Sequence, residues 1–296
     1  MKKHDSNFDD EIDLKELFQA LWEGKKLIIQ ISAIFAISSI VYSLTLPNYY
    51  RSESLVVTRS ETLNKGMSSQ FSGLAAMAGI NLPSIGDDKA LQAIELIKSR
   101  KFVKHLLTFD NILPSIMAKK SYNHVSQEIL FNKKIYDSET KTWKTKPSYI
   151  QAHNVYMSMM SISQDKKTGF LSIHVEHISP VFAKEFLELV IREANLLTRN
   201  RDIEESSKAL KYLKSELSKT SFVEIKESIN ALMKSQLETQ MLAQINQDYI
   251  LIEIEPPFIP EERSKPSRSF ICIVGTLLGG MLSMCIVLIR HYIVGR

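Results

Sequence analysis

Residues 256–296 read PPFIPEERSKPSRSFICIVGTLLGGMLSMCIVLIRHYIVGR, and the rest of the chain takes its organisation from them. Pro256, Pro257, Pro260 and Pro266 precede an apolar run over residues 270–289 that holds Gly275, Gly279 and Gly280 and no charged side chain. At about 1.5 Å of rise per helical residue, such a run is long enough to cross the hydrocarbon core of a bilayer. A chain held by one terminal span is either singly anchored or has a second one, and residues 27–46 supply the second. That run is too long, its leader too acidic and its end too poor in a small-x-small cleavage site to be a signal peptide, so it reads as a retained anchor.

The two runs leave roughly 220 of the 296 residues between them, enough for one domain with its own core. The expected fold is α+β, with two terminal transmembrane helices flanking a periplasmic α/β base that carries a long helical-hairpin protrusion. The expected divisions are a cytoplasmic tail (1–26), a first span (27–46), the periplasmic domain (47–269), a second span (270–289) and a second cytoplasmic tail (290–296). Basic residues near the spans balance, with Lys15, Lys25, Lys26, Arg290 and Arg296 on the terminal side against Arg51, Arg59, Arg263, Lys265 and Arg268 on the loop side. Long loops translocate largely regardless of charge, so the short basic tails decide, and both termini are placed in the cytoplasm. The net charge of +4 is too small and dispersed for nucleic acid. Both cysteines, Cys272 and Cys285, lie in the second run, leaving no thiolate for a metal or disulfide in the domain.

Helical spacing of Leu14, Leu17, Phe18 and Leu21 predicts a surface helix ahead of the first span, with Trp22 near the headgroups. Residues 49–58 alternate as a strand, and residues 60–86 read as a mobile Ser/Gly/Met-rich loop. Asp87 or Asp88 is expected to cap a helix to about Phe109, with Leu91, Ile94, Ile97 or Leu96, Phe102 or Lys101, and Leu106 on its buried stripe. Residues 110–148 have weak periodicity, and Trp143 reads as part of an exposed turn. Residues 160–178 predict a β-hairpin with Leu171, Ile173 and Val175 on one face and His174 and His177 on opposite faces, both as ordinary surface or edge histidines. Ser179-Pro180 opens a helix that no Gly or Pro interrupts before Pro256; at about 40 residues it would span roughly 60 Å. Ser221 with Glu224 forms a capping-box pattern for a second helix over Phe222, Ile225, Ile229, Leu232, Met233, Leu237 and Met241, returning along the first to make extended helices over about 180–246. Residues 249–255 form a last strand with Ile250, Ile252 and Ile254 on one face, leading into the proline-rich neck at 256–266.

No catalytic or metal site is expected, and no cofactor. Gly24-Lys25-Lys26 lacks the upstream glycine and the hydroxyl of a phosphate loop, and no H-E-x-x-H, G-x-S-x-G or Cys/His cluster occurs. Three groups of residues remain as candidates. Gly275, Gly279 and Gly280 give the second span a flat face for close helix packing. The four prolines make a stiff connector between domain and span. Leu210, Leu213 and Leu217 continue the long helix's apolar stripe past a polar gap, as contacts for a neighbouring subunit.

The series Pro257, Pro260, Pro266 and then Gly279-Gly280-Met281 resembles the second-span signature of Wzz-type polysaccharide co-polymerases, the chain length determinants. Lys265-Pro266-Ser267 stands where that family usually has Ser-Pro-Lys, and Ser283-Met284-Cys285 replaces the usual small residues. The lead-in DEIDLKELFQALWEGKKLI (residues 10–28) is also similar to the family's beginning. The resemblance implies a multi-pass inner-membrane protein with its bulk in the periplasm, assembled as a homo-oligomer. It would regulate the modal length of O-antigen or a related surface polysaccharide with a Wzy-type polymerase, in contact with the bilayer and an undecaprenyl-linked glycan, and not with nucleic acid. The short tail after Ile289 implies that the tyrosine-kinase domain of some relatives is missing. The alternative within the same family is a membrane adaptor of a separately encoded kinase or export complex.

Overall fold

In the computed structural model, residue 18, residues 21–58 and residues 85–294 are described. The expected surface helix ahead of the first span and the loop at 60–86 lie almost wholly outside them. The chain divides into two units, one formed by residues 1–48 and 264–296 and the other by residues 49–263.

The first unit is a helix pair, α1 (Lys25–Thr45) and α8 (Arg268–Val294). Both are long and apolar enough to cross a membrane.

The second unit contains α2 (Ile85–Lys98), α3 (Arg100–Leu106), α4 (Ile112–Met117), α5 (Tyr149–Met159), α6 (Pro180–Lys219) and α7 (Val223–Ile245). Its main strands are β1 (Tyr49–Thr58), β6 (Met160–Gln164), β7 (Leu171–His177) and β8 (Leu251–Glu255), in the spatial order β6-β7-β1-β8 with antiparallel neighbours. The hairpins β2 (Lys119–Asn123)–β3 (Glu128–Phe131) and β4 (Tyr136–Asp137)–β5 (Thr142–Trp143) stand apart from it, and β9 (Arg263–Lys265) falls within the neck.

Alternation decides which face of the sheet is buried. Ser52, Ser54 and Val56 lie opposite Val175, Ile173 and Leu171 in register, and all six are buried, whereas Arg51 and Glu53 on the other face are exposed. Phe186, Leu187, Val190, Ile191 and Ala194 of α6 join the inner face in one core with Ile97, Phe102, Leu106 and Tyr156 of the smaller helices. The turn from β6 to β7 closes with Gly169 at φ 76°, a left-handed conformation that glycine adopts without a Cβ clash.

Several expectations are corrected. The helix expected to reach Phe109 breaks at Ser99, whose hydroxyl accepts Phe102 N–H and caps a separate helix. The break frees carbonyls that α5 then satisfies: Tyr156 OH donates to Ile97 O at 3.0 Å, and His153 Nε2 lies 2.9 Å from Lys98 O. Asp87 and Asp88 fall inside α2 rather than at its cap, and Leu91 is exposed. The weakly periodic region 110–148 forms α4 and two hairpins, and Trp143 packs against Tyr136 at 4.8 Å instead of lying free in a turn. The Ser221–Glu224 box does not form: Phe222 is the N-cap of α7, and no side chain caps it. The last strand buries Leu251, not the row of isoleucines, because Ile250 turns inward just before the strand while Ile254 stays exposed.

His177 is the largest departure. It is fully buried, since two-residue periodicity puts it on the face of Leu171, Ile173 and Val175. Ser179 N–H donates to its Nδ1 at 3.1 Å, and its Nε2 lies 3.0 Å from Ser115 O, which assigns the neutral tautomer protonated at Nε2. Burial and the nearby Lys119 ammonium pull its pKa down to about 3.

Candidate functional site

The long helix sets the geometry. Pro180 occupies its first turn and Ser179 Oγ accepts Phe182 N–H at 3.1 Å, so the start is fixed by a cap and a preset φ. Forty uninterrupted residues then reach about 60 Å, well past the sheet that covers the first half. The polar gap at 198–208 is crossed without a break. Lys208 Nζ donates to Glu204 Oε1 at 2.6 Å across one turn, holding the Glu204 carboxyl below its ordinary pKa and the Lys208 ammonium above its own.

Beyond the gap, α7 runs back along α6. The shielded positions of α6 include the row Ile203, Ser206, Leu210, Leu213 and Leu217, and those of α7 the row Ile229, Met233, Gln236, Gln240 and Ala243. Both rows step by three and four residues, the spacing of a coiled-coil seam, and Gln240 Nε2 reaches Ser207 Oγ at 3.1 Å beside it. Leu210, Leu213 and Leu217 are thus half-buried along the chain's own hairpin seam. The apolar surface left outside is a different set: Tyr212, Phe222, Val223, Leu232, Leu237, Met241 and Ile245 are all exposed, with Tyr212 at 65% and Ile245 at 73%. Periodicity picks out the α6 side of the seam, but on α7 it picks out Phe222, Leu232, Leu237 and Met241, which the structure leaves exposed, while the seam is made by Ile229, Met233, Gln236, Gln240 and Ala243.

The neck is held at its start. Ser54 Oγ donates to Glu255 O and Ser52 Oγ to Phe258 O, each at 2.7 Å, from two serines buried on β1. Pro257 and Pro260 are buried and Pro256 is exposed. Asn195 of α6 anchors the strand just before the neck: its Oδ1 accepts Ile250 N–H and Leu251 N–H at 2.9 and 2.8 Å, and its Nδ2 donates to Leu251 O at 2.9 Å. Ser52, Ser54 and Asn195 give no local signal in the sequence, because a buried serine on a strand looks like an ordinary polar position. Pro266 lies in the other unit, two residues before α8.

In the helix pair, Gly275 and Gly279 face α1. A Cβ on Gly275 would stand 2.5 Å from Ser39 Cβ, and one on Gly279 would stand 2.5 Å from Phe35 Cβ and 3.3 Å from Ser32 Cα. Gly280 has more room, with Ser32 Oγ at 3.8 Å, and Gly24 meets Val287 at the other end. Ser32 and Ser39 were not legible as the complement of these glycines.

Among the described residues no group of three or more His, Cys, Asp or Glu is placed to hold a metal ion.

Residues 10–108 match the family model "Wzz: Chain length determinant protein". No curated protein matches this chain. Two solved structures are similar to it: a full-length bacterial polysaccharide co-polymerase at 15% identity, covering 96% of this chain and 99% of its own with a TM-score of 0.42, and a fragment of WzzB, a polysaccharide co-polymerase from Salmonella Typhimurium, at 14% identity, covering 74% and 100% with a TM-score of 0.29. The resemblance to the chain length determinants that the sequence carries at residues 10–28 is borne out by the family match, which includes them.

Proposed function

We propose that this chain regulates the modal length of O-antigen or a related surface polysaccharide, as a homo-oligomeric scaffold beside a Wzy-type polymerase in the bacterial inner membrane. The observation that carries the reading is the α6–α7 hairpin: its seam is closed within one chain, yet its outer side still offers large apolar residues to water. A second copy of the same hairpin is the occupant whose chemistry matches. On this reading residues 47–269 stand in the periplasm between two spans, and chain length follows from the geometry of the assembly. Gly275 and Gly279 keep the spans close, and the neck with Pro256, Pro257, Pro260 and Pro266 ties the position of the domain to the second span. The polysaccharide grows on its undecaprenyl-linked carrier by the polymerase's chemistry; the chain's part is positional and not catalytic.

Deleting the gene tests the reading, with the expected result that surface polysaccharide on a gel loses its modal banding while polymer is still made. Complementation with a Leu232→Glu, Leu237→Glu, Met241→Glu chain is expected to lower the oligomer mass and broaden the distribution with the protein level unchanged. Pro260→Ala with Pro266→Ala is expected to broaden it without altering oligomer mass. Banding unchanged by the deletion overturns the proposal.

A further inference from the structure

A half-open cavity of about 880 Å³ lies in the domain formed by residues 49–263, away from the hairpin's distal end. It is walled by the start of α4, the β2–β3 hairpin with the loop after it, and the first turns of α6. Its volume falls within the range of about 300–1,000 Å³ usual for small-ligand sites.

The walls hold an unused set of polar groups. Ser115 is 3% exposed and lines the cavity, and its hydroxyl has no hydrogen-bond partner among the described residues. The backbone around it is fixed, since its carbonyl receives His177 and its N–H donates to Asn111 O. Asn111, at φ 64°, directs no cap bond into α4, so its amide remains available. Lys120, Glu128, Lys134 and Glu185 also line the space, and none of the four is in an ion pair among the described residues. Phe131 adds an aromatic wall held edge-on by Tyr136 at 5.5 Å.

Lys133 lines the space as well and is paired with Glu139 at 3.7 Å; the two unpaired ammonium groups and two unpaired carboxylates that remain cancel. A phosphate or pyrophosphate site would show an excess of positive charge, and a cation site an excess of negative charge. A cavity with donors and acceptors in balance, an unpartnered hydroxyl on a buried serine, an amide and an aromatic side suits a neutral polyhydroxylated ligand. Each sugar hydroxyl both donates and accepts, and carboxylates and amides can bridge neighbouring hydroxyls while a sugar ring packs on Phe131.

We propose that this cavity binds a short uncharged segment of the growing glycan. The inference rests on the reading under Proposed function and adds to it a contact between the scaffold and the polymer itself.

The test titrates the full-length detergent-solubilised chain, by calorimetry and saturation-transfer NMR, with neutral repeat-unit oligosaccharides released from the surface polysaccharide of the cells that make it. The wild-type chain is expected to bind. Glu128→Gln with Glu185→Gln, both on exposed side chains without internal partners, is expected to weaken binding about tenfold, and Ser115→Ala to weaken it by a smaller factor. In hydrogen exchange, bound oligosaccharide is expected to protect residues 111–134 and 179–185. No binding by the wild-type chain, equal binding by both variants, or binding of inorganic pyrophosphate in place of the oligosaccharide overturns the proposal. The outcomes separate the two claims: altered banding on gene deletion with no oligosaccharide binding removes the cavity assignment and leaves the proposed function, whereas binding with unaltered banding removes the proposed function and leaves the site.

Discussion

The two halves of α6 share one backbone and one helix, yet they are built for different surroundings. Over residues 180–198 nearly every apolar side chain is enclosed by the sheet and the smaller helices, and even the polar Glu193, Asn195 and Thr198 are buried. Over residues 199–219 only Ser206 is buried, and beyond Asp202, whose Oδ2 accepts Tyr249 OH at 2.8 Å, the helix packs along α7. Enclosure on several sides makes the first half part of a core, whereas the second is a two-helix ribbon whose stability comes from one narrow seam. A ribbon of that kind is where a structure can accept another copy of itself without disturbing its core.

The sharpest way to break this contrast is to remove a large side chain from the enclosed half. Phe186 is 1% exposed, stacks on Phe182 at 5.3 Å and meets Tyr156 edge-on at 6.1 Å. Phe186→Ala is expected to cost about 3–5 kcal/mol of the domain's stability, read from the denaturant midpoint, because the surrounding side chains cannot close the gap. Asn195→Ala comes next. It strands two N–H groups and one carbonyl at the entry to the last strand, with an expected loss of about 2–3 kcal/mol on the same measurement. A loss below 1 kcal/mol for either would mean that the enclosed half is less tightly specified than its burial implies.

The third prediction concerns His177, beneath the first turn of the helix. Its folded pKa of about 3 lies below the value of 6.5 for an unperturbed imidazole. Below pH 6.5 the unfolded chain therefore takes up a proton that the native one refuses. The contribution is complete above about pH 6.5 and is lost as pH falls toward 3, with a slope approaching about 1.4 kcal/mol per pH unit. Stability curves of wild type and His177→Gln should converge as pH falls through that window; parallel curves would show that the histidine is not held neutral.

What could be read from the sequence follows the same division between local and distant causes. The strand at 49–58, the β6–β7 hairpin and the cap at Ser179-Pro180 are each specified by adjacent residues, and they appear where the alternation and the cap chemistry put them. The 40-residue length of α6 was legible from the lack of Gly and Pro. The break at Ser99 was not, because Ser99 caps α3 with no glycine or proline beside it and the freed carbonyls are met by Tyr156 and His153, more than fifty residues away. The burial of His177 was legible in principle, since parity alone puts it on the side of Ile173. Of the candidate residues, the leucines of the distal stripe could be found by period, but period cannot tell a seam from an outer face. The cavity beside Ser115 draws on segments spread over about seventy residues and leaves no contiguous pattern.

The smallest expected effect is the most telling about the ribbon. Leu213 is half-buried in the seam between α6 and α7, so Leu213→Ala should cost only about 1 kcal/mol, below the range for a fully enclosed leucine. The loss should also be local. With one neighbour on either side of the seam, opening the distal hairpin does not require opening the sheet, and the free energy of that opening is set by the seam alone. Hydrogen exchange is therefore expected to quicken over residues 206–240 and to stay unchanged at Leu171, Ile173 and Val175, whereas Phe186→Ala should quicken both. If Leu213→Ala instead speeds exchange in the sheet to the same degree, the two halves of α6 open as one cooperative unit, and the outer apolar face belongs to a rigid arm rather than to a ribbon that can adjust to a neighbour.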